Sequence, residues 1–274
     1  MAGLRAGHPG QQTPALDGRV KPAHGDGVSY SSRFWLYAPI TLFLILAIAV
    51  MVHWWMAAGA FEKSLAGLKG RQVVPGITLD WKAVRIGGFP FRLDADFTNF
   101  TIKGAGAHGP FAWAGEKFAL HALTYGRSQD VYEAAGQQQL NWTGADGSSH
   151  AASFLPGSMR GSSILDAQGL RRFDLDIVDM GGQGFTVGRL QFHMRRDPDG
   201  SDLDLMLKAD AVNARKQVQV YALLSPAGSL AALLKGEAAW PQAAADWRAQ
   251  GGKAKLSQVV APGLAADALL APLY

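Results

Sequence analysis

Residues 87–97 read GGFPFRLDADF, and this stretch decides how the rest of the sequence is interpreted. From Phe91 to Phe97, an apolar residue at every second position alternates with Arg92, Asp94 and Asp96. Because successive side chains of a strand point to opposite faces, one face is apolar and the other is charged. Such one-sided alternation is typical of an antiparallel sheet with one covered face. The stretch therefore predicts a β-strand.

The GGFP segment before this strand is explained most simply as a corner of the sheet. The strand-like ITLDWKAVRI precedes it, and the glycines at 87–88 supply the backbone freedom for a tight reversal. Pro90 lacks an N–H, which is tolerated at the first residue of a strand. Phe89 and Phe91 are two positions apart, so we expect them to share a face and to close the end of the apolar layer.

Arg92 follows the corner and points to the opposite, polar face of the predicted strand. We expect its guanidinium to lie within reach of a carboxylate there, such as Asp80 or Asp94. A ligand-gripping motif is the alternative interpretation of this segment and stays open, but we favour the structural corner.

The same period of two recurs in the sequence after residue 70, with glycine-containing breaks between the runs. It occurs in EKFALHAL, RRFDLDIVDM, GRLQFHMRR and SDLDLMLKAD, which begin at residues 116, 171, 188 and 201. We predict a mainly β fold, a curved antiparallel meander sheet of about ten strands that forms an open groove or half-barrel. One short C-terminal helix is predicted in WPQAAADWRAQGG, with Pro241 in the first turn and Gly251 at its end.

An uncharged apolar run, FWLYAPITLFLILAIAVMVHWWMAA, occupies residues 34–58. Trp35 and Tyr37 mark one end and Trp54 and Trp55 mark the other, roughly 28 Å apart in a helix, which matches the hydrocarbon thickness of a bilayer. The run predicts an N-terminal transmembrane helix. The predicted organisation is a disordered tail over 1–32, the anchor over 33–58, a helical connector over 59–70 and a β-rich extracytoplasmic domain over 71–274.

A cleaved signal peptide is the alternative for this run, because Ala58-Gly59-Ala60 resembles a cleavage site. The apolar run is longer than those of signal peptides, so we favour an uncleaved anchor. Basic residues are balanced on the two sides, and we adopt the common arrangement with the tail in the cytoplasm. Beyond the anchor, Phe61, Leu65 and Leu68 form an apolar stripe that we expect to pack under the domain.

The composition excludes several kinds of chemistry. The chain of 274 residues has no cysteine, which excludes disulfides, thiolate nucleophiles and cysteine-ligated metals, and its net charge of +4 is spread along the chain, unlike that of nucleic-acid binders. GAGAHG at 104–109 fits a glycine-rich phosphate motif only formally, because no helix follows it, and we interpret it as a loop. His121 and His193 lie on polar sides of predicted strands, so we expect them to be solvent-exposed. We predict no catalytic or metal-ligating residues and no cofactor.

Several of these features together resemble an uncharacterised envelope family of alphaproteobacteria, domain-of-unknown-function family 2125. They are the apolar span, Trp81 followed by Gly88-Phe89-Pro90-Phe91-Arg92, the short alternating strands and the WRAQGG element at 247–252. The resemblance implies a membrane-anchored, periplasm-facing β-rich protein of the bacterial inner membrane, and it implies no reaction. At the level of fold alone, the predicted open sheet is similar to AsmA-like groove proteins.

These observations predict a non-enzymatic envelope protein with the membrane as its first partner. One short helix cannot cover a sheet of about ten strands, and an uncovered apolar face is normally a binding surface. We therefore expect a groove that binds or shields lipid or a lipidated partner. The alternative is a scaffold that docks other envelope proteins and has a closed, packed core. Neither interpretation involves nucleic acid.

Overall fold

A computed structural model describes residues 32–123, 129–214 and 216–260. The predicted tail at 1–32, apart from the backbone of its last residue, and the end of the chain after residue 260 lie outside the described residues. The predicted anchor and connector form one uninterrupted helix, α1 (Ser32–Leu68), which includes Pro39 near its start. The stretch from Arg33 to Leu68 is long and apolar enough to cross a membrane, and its most apolar part has no buried residues. By its contacts the chain divides within α1, between Leu46 and Ala47.

The mainly β fold is confirmed, with thirteen strands in one antiparallel sheet among the described residues. The strands are β1 (Arg71–Val74), β2 (Ile77–Asp80), β3 (Ala83–Gly87), β4 (Arg92–Ala105), β5 (Pro110–Leu123), β6 (Gln129–Thr143), β7 (Ser149–Leu155), β8 (Ser158–Asp166), β9 (Gly169–Gly182), β10 (Phe185–Arg196), β11 (Leu203–Val212), β12 (Lys216–Ser225) and β13 (Lys253–Val260).

The sheet is a meander in which strands that follow one another in the chain mostly lie side by side. The predicted single strand before the glycine pair is instead two strands, because the chain breaks at Trp81 and Lys82, and β2 and β3 both pair with β4. In the same way, β7 and β8 share the place between β6 and β9. In the described part of the chain, β1, β3 and β13 each pair with one strand, so they lie at the edges of the sheet.

Two of the long strands change phase halfway along. In β4, Asn99 has a positive φ of 49°, and Phe97 and Phe100 are both buried although they are three residues apart. The pairing of β5 with β6 shifts between Gly115 and Lys117, so that Trp113 and Phe118, five residues apart, contact the same cluster. The irregularity in β4 and the bulge in β5 keep large aromatic side chains on the apolar face where strict alternation would turn them outward.

The C-terminal helical region is larger than predicted. The expected helix is present as α3 (Trp240–Ala249), with Pro241 in its first turn. It is preceded by a 3₁₀ turn (Ala227–Leu230) and a short helix, α2 (Ala231–Leu234), which the sequence analysis missed. Both segments are alanine- and leucine-rich and only about one turn long, which is too short to show a helical period.

Candidate functional site

The apolar side chains of the sheet form one continuous row across paired strands. Leu120 lies opposite Ala95 on one side and Tyr132 on the other, and the row continues through the later strands. Further along, Phe192 lies opposite Leu175 and Leu207. The one-sided alternation predicted for these strands therefore generates a single apolar face that spans the whole sheet.

The part of this face at one end of β10, β11 and β12, around Met194, Leu203 and Leu224, is covered by the C-terminal helices. Trp247 of α3 is only 1% exposed and packs with Leu230 and Leu234 from the helical region. Beneath these side chains lie Leu203 and Leu224 of the sheet, which are also buried. We call this part the covered region.

A buried cation borders the covered region. Arg196 at the end of β10 is buried, and its guanidinium donates to both carboxylate oxygens of Asp166 at 2.6 Å and to the carbonyl of Gln168 at 2.9 Å. Hydrogen bonds from Arg196 hold the pKa of the Asp166 carboxyl below its ordinary value. The buried charge is thus compensated by a bidentate pair.

The opposite end of the apolar face is covered by the last turns of α1. Leu65 is buried against Trp81 and Phe100, and Phe61 packs on the same cluster. The predicted packing of the apolar stripe under the domain is therefore confirmed for these two residues. Trp81 and Phe97 meet edge to face with their ring centroids 5.0 Å apart.

Between these two covered parts, the apolar face is open and forms two adjoining depressions of about 370 and 300 Å³. Ile102, Phe118 and Tyr132 line both of them, so we treat the two as one feature, the open groove. Leu65 and Leu68 lie at one end of it. At the other end, the groove is lined by Trp113, Met159, Gly161, Phe173 and Leu175.

Several polar groups along the open groove are engaged within the protein. Glu133 and Arg160 both line it and form an ion pair at 3.1 Å. The Tyr132 hydroxyl lies 2.7 Å from Ser163 Oγ, and the Trp113 indole donates to Gln138 Oε1 at 3.1 Å. Gln138 is fully buried and donates in turn to the carbonyls of residues 135 and 136. Burial raises the pKa of Tyr132, although its hydrogen bond to Ser163 opposes the shift. The wall of the groove is therefore almost wholly hydrocarbon.

The polar face of the sheet carries two similar clusters. On β4, Asp94 lies 2.9 Å from Arg92 and 2.7 Å from Nδ1 of His121, directly opposite on β5. The predicted reach of Arg92 to Asp94 is thereby observed, and His121 is only partly exposed rather than free in solvent.

The second cluster repeats this arrangement on β9. Asp174 lies 2.6 Å from Arg172 and 2.6 Å from Nδ1 of His193, which is opposite on β10. Burial disfavours the charged form of Asp174, but hydrogen bonds from His193 and Arg172 outweigh it and hold its pKa below the ordinary value. Both clusters are cross-strand contacts that stabilise neighbouring strands.

The GGFPF segment forms the reversal between β3 and β4, whose residues Gly87 and Asp94 are paired. Gly88 has a φ of 93°, and a Cβ there would lie 2.7 Å from the carbonyl oxygen of Arg92, so only glycine fits. Phe89 and Phe91 are 53% and 59% exposed. They therefore do not close the end of the apolar layer as expected, and Phe89 instead contacts Trp54 of α1.

The remaining sequence-predicted residues are distributed as follows. Trp35, Tyr37 and Trp55 are exposed on α1. The GAGAHG segment forms the turn between β4 and β5, closed by a hydrogen bond from the Gly106 N–H to the Gly109 carbonyl. In the described parts of the chain, no group of three or more metal-ligating side chains comes together.

The sequence analysis missed the residues of the open groove that act together. Trp113 and Tyr132 were not singled out, because Trp113 lies beyond the bulge in β5 and Tyr132 is in a strand without clear alternation. The odd spacing between Trp113 and Phe118, across Gly115, is the one signal of a bulge that the sequence contains.

Comparisons with known proteins give one match. The family described as "Uncharacterized protein conserved in bacteria (DUF2125)" matches residues 54–269. The match begins at the tryptophan pair of α1 and includes the GGFPFR segment and the whole described sheet. No curated protein and no solved structure matches the chain, so the similarity to AsmA-like proteins stays a prediction.

Proposed function

We propose that this protein, which belongs to the DUF2125 family of bacterial proteins, is anchored in a membrane and acts by binding a hydrocarbon chain. The open groove would take up an acyl chain, either of a membrane lipid or of a lipidated partner protein. The single observation that carries this proposal is a groove with an almost wholly hydrocarbon wall, open between two covered parts of the same sheet face.

The chemistry of the groove favours an acyl chain over a polar ligand. A peptide strand or a sugar would bring donors and acceptors that lose their hydrogen bonds to water, and an apolar wall returns none of them. An acyl chain has no such groups, and each CH₂ that leaves water contributes about 0.8 kcal/mol. The two depressions of about 370 and 300 Å³ also have the size of small-molecule sites.

A position in a membrane would place the groove close to the acyl chains of lipids. The helix whose Leu65 and Leu68 line one end of the groove also contains the uncharged run 34–58. We propose that this run crosses the bacterial inner membrane once, with the sheet on the periplasmic side. Contacts of Trp54 with Arg92 and Phe89 support retention of the helix in the mature protein, because cleavage near Ala60 would remove them.

The test is to purify the full chain from membranes in mild detergent and to analyse bound molecules by native mass spectrometry and denaturing extraction. We expect a stoichiometric molecule with at least one acyl chain. A glycerophospholipid would identify the membrane as its source, and an acyl chain linked to a peptide would identify a lipidated partner. A chain that is consistently empty of both would contradict the proposal and leave the scaffold interpretation.

A matched pair of variants assigns the bound molecule to the groove. In Gly161→Leu, the new Cβ would lie 3.2 Å from the carbonyl oxygen of Asp174, 3.6 Å from the Tyr132 ring and 3.9 Å from Leu175, so the side chain enters the groove after a small shift of the backbone, and circular dichroism checks that the variant is folded. Gly181→Leu makes the same change near the end of β9, outside the groove lining, where nothing lies within 4 Å of the new Cβ. We expect the Gly161 variant to lose most of the bound acyl chain and the Gly181 variant to keep it. Equal retention in both would exclude this groove as the site.

A further inference from the structure

The GGFPF reversal is attached to the membrane helix at one defined level. The Trp54 indole N–H donates to the carbonyl of Arg92 at 2.8 Å, and the rings of Trp54 and Phe89 meet edge to face at 5.5 Å. Trp54 is one of the two tryptophans that end the uncharged run of α1. The reversal therefore lies beside the helix at the position where tryptophans mark a membrane–water interface.

The side chains at this level are large, aromatic and exposed. Phe89 and Phe91 are more than half exposed, and Trp55, the neighbour of Trp54 on the helix, is 73% exposed. Exposed aromatic rings gathered at one point of a surface are unfavourable in water and favourable in the interfacial region of a bilayer. A hydrogen bond from the Arg92 N–H to the Gly88 carbonyl at 2.9 Å closes the reversal, so the rings are presented by a defined turn.

From these contacts we propose that the Phe89–Phe91 reversal inserts into the bilayer interface beside α1 and forms a second membrane contact of the protein. The partner is the lipid surface itself, and the rings enter about 5–10 Å, the depth of interfacial aromatic segments. Arg92 and Asp94, paired at 2.9 Å directly after the reversal, limit the depth because an ion pair is costly in hydrocarbon. This inference rests on the proposed membrane span, and it does not depend on uptake of lipid by the groove.

Insertion at this point would orient the sheet relative to the membrane. Arg92 begins β4 and pairs with Leu123 at the end of β5, so this end of the long strands would face the lipid. The 14 residues of β4 extend about 45 Å from there. The turn after Thr143 of β6 lies at the other end of the same strands, far from the membrane.

The absence of cysteine makes a depth measurement direct, because each introduced thiol is unique in the chain. The full chain carrying Phe91→Cys is labelled with an environment-sensitive fluorophore and reconstituted in phosphatidylglycerol–phosphatidylethanolamine vesicles that contain acyl-chain quenchers. We expect a several-fold loss of fluorescence with quenchers near the glycerol and little loss with quenchers near the chain end. Phe89→Cys provides a second reporter if the first variant does not fold.

Ala145→Cys is the matched control, since it is exposed and lies in the turn at the far end of the strands. We expect no quenching there. Quenching at neither reversal position in a folded, vesicle-bound chain would overturn the inference while leaving the groove untouched. A chain that does not stay with the vesicles would refute the membrane span, and loss of the co-purified acyl chain alone would refute only the groove.

Discussion

The covered region and the open groove lie on the same face of one sheet and are built from the same kind of side chain. Around Met194, Leu203 and Leu224, at one end of β10, β11 and β12, the apolar face is packed against Trp247 and Leu230 and excluded from water. On the strands that precede β10, the same apolar face includes Phe118, Tyr132 and Leu175, which remain only partly buried. The strands of both regions place apolar side chains on this face, so the cover is what distinguishes the two.

The difference follows from the connections between strands. After β12 the chain leaves the sheet for the 27 residues from Pro226 to Gly252 (252 minus 225), which fold back as helices before β13 begins. In the centre, β4 and β5 are joined by four residues, 106–109, and β8 and β9 by two, 167–168. Such short connections cannot cover a face. The apolar face is thus closed where the helices before β1 or after β12 lie on it, and it stays open where short turns join the strands.

The largest effect is expected from the centre of the covered region. Trp247→Ala removes a ring that is 1% exposed, and we expect it to lower the free energy of unfolding by about 3–5 kcal/mol. Denaturant unfolding of the full chain in detergent, followed by circular dichroism, measures this loss. A loss below that of the groove variant described next would contradict the distinction between the two regions.

A smaller effect is expected in the open groove. Phe118→Ala removes a side chain of similar chemistry that is only partly buried, and we expect a loss of about 1–2 kcal/mol in delipidated protein. The same unfolding measurement, repeated with added phospholipid, shows whether a variant has lost the lipid-binding groove or only stability. Added lipid should stabilise the wild type more than Phe118→Ala, whereas Trp247→Ala should gain as much as the wild type, because its groove is intact.

The smallest effect is expected on the polar face of the sheet, which carries two similar clusters of arginine, aspartate and histidine. Asp94→Asn and Asp174→Asn each weaken one Arg–Asp–His cluster, and we expect similar losses below about 1 kcal/mol at neutral pH. Thermal melting compares both with the exposed Glu237→Gln, which should melt like the wild type. Unequal losses would show that the cover on one face also changes the contacts on the other.

The Asp174 variant also has a defined pH dependence. Because the pKa of Asp174 is lowered in the folded protein, its charged form stabilises the fold above the unfolded pKa, and that contribution is lost as the pH falls through the folded pKa. The difference in melting temperature between wild type and Asp174→Asn should therefore narrow below about pH 4. A difference that stays constant into this acid range would refute the assigned role of the charge.

The strands with strict alternation were predictable, and the surfaces that they form were not. The run from Leu203 to Ala209 predicts a strand because apolar residues at every second position point to one face of a strand, whatever the rest of the fold. Trp113 and Phe118 reach the same face only through a bulge, which depends on pairing with a neighbouring strand. The position of Phe89 beside α1 was likewise unpredictable, since it depends on a contact with Trp54, which is 35 positions away in the chain.

Four features could be read from local sequence, because each depends on the period or the geometry of neighbouring residues. They are an uncharged helix of membrane length, an antiparallel β architecture, the corner at residues 87–91 and the helix that begins at Trp240. Tertiary structure alone decided which part of the apolar face is buried, that Trp54 holds the corner beside the helix, and that Asp94 and Asp174 each meet a histidine. These contacts join residues far apart in the chain, so no local pattern encodes them. They are also the contacts that place the open groove and the exposed phenylalanines.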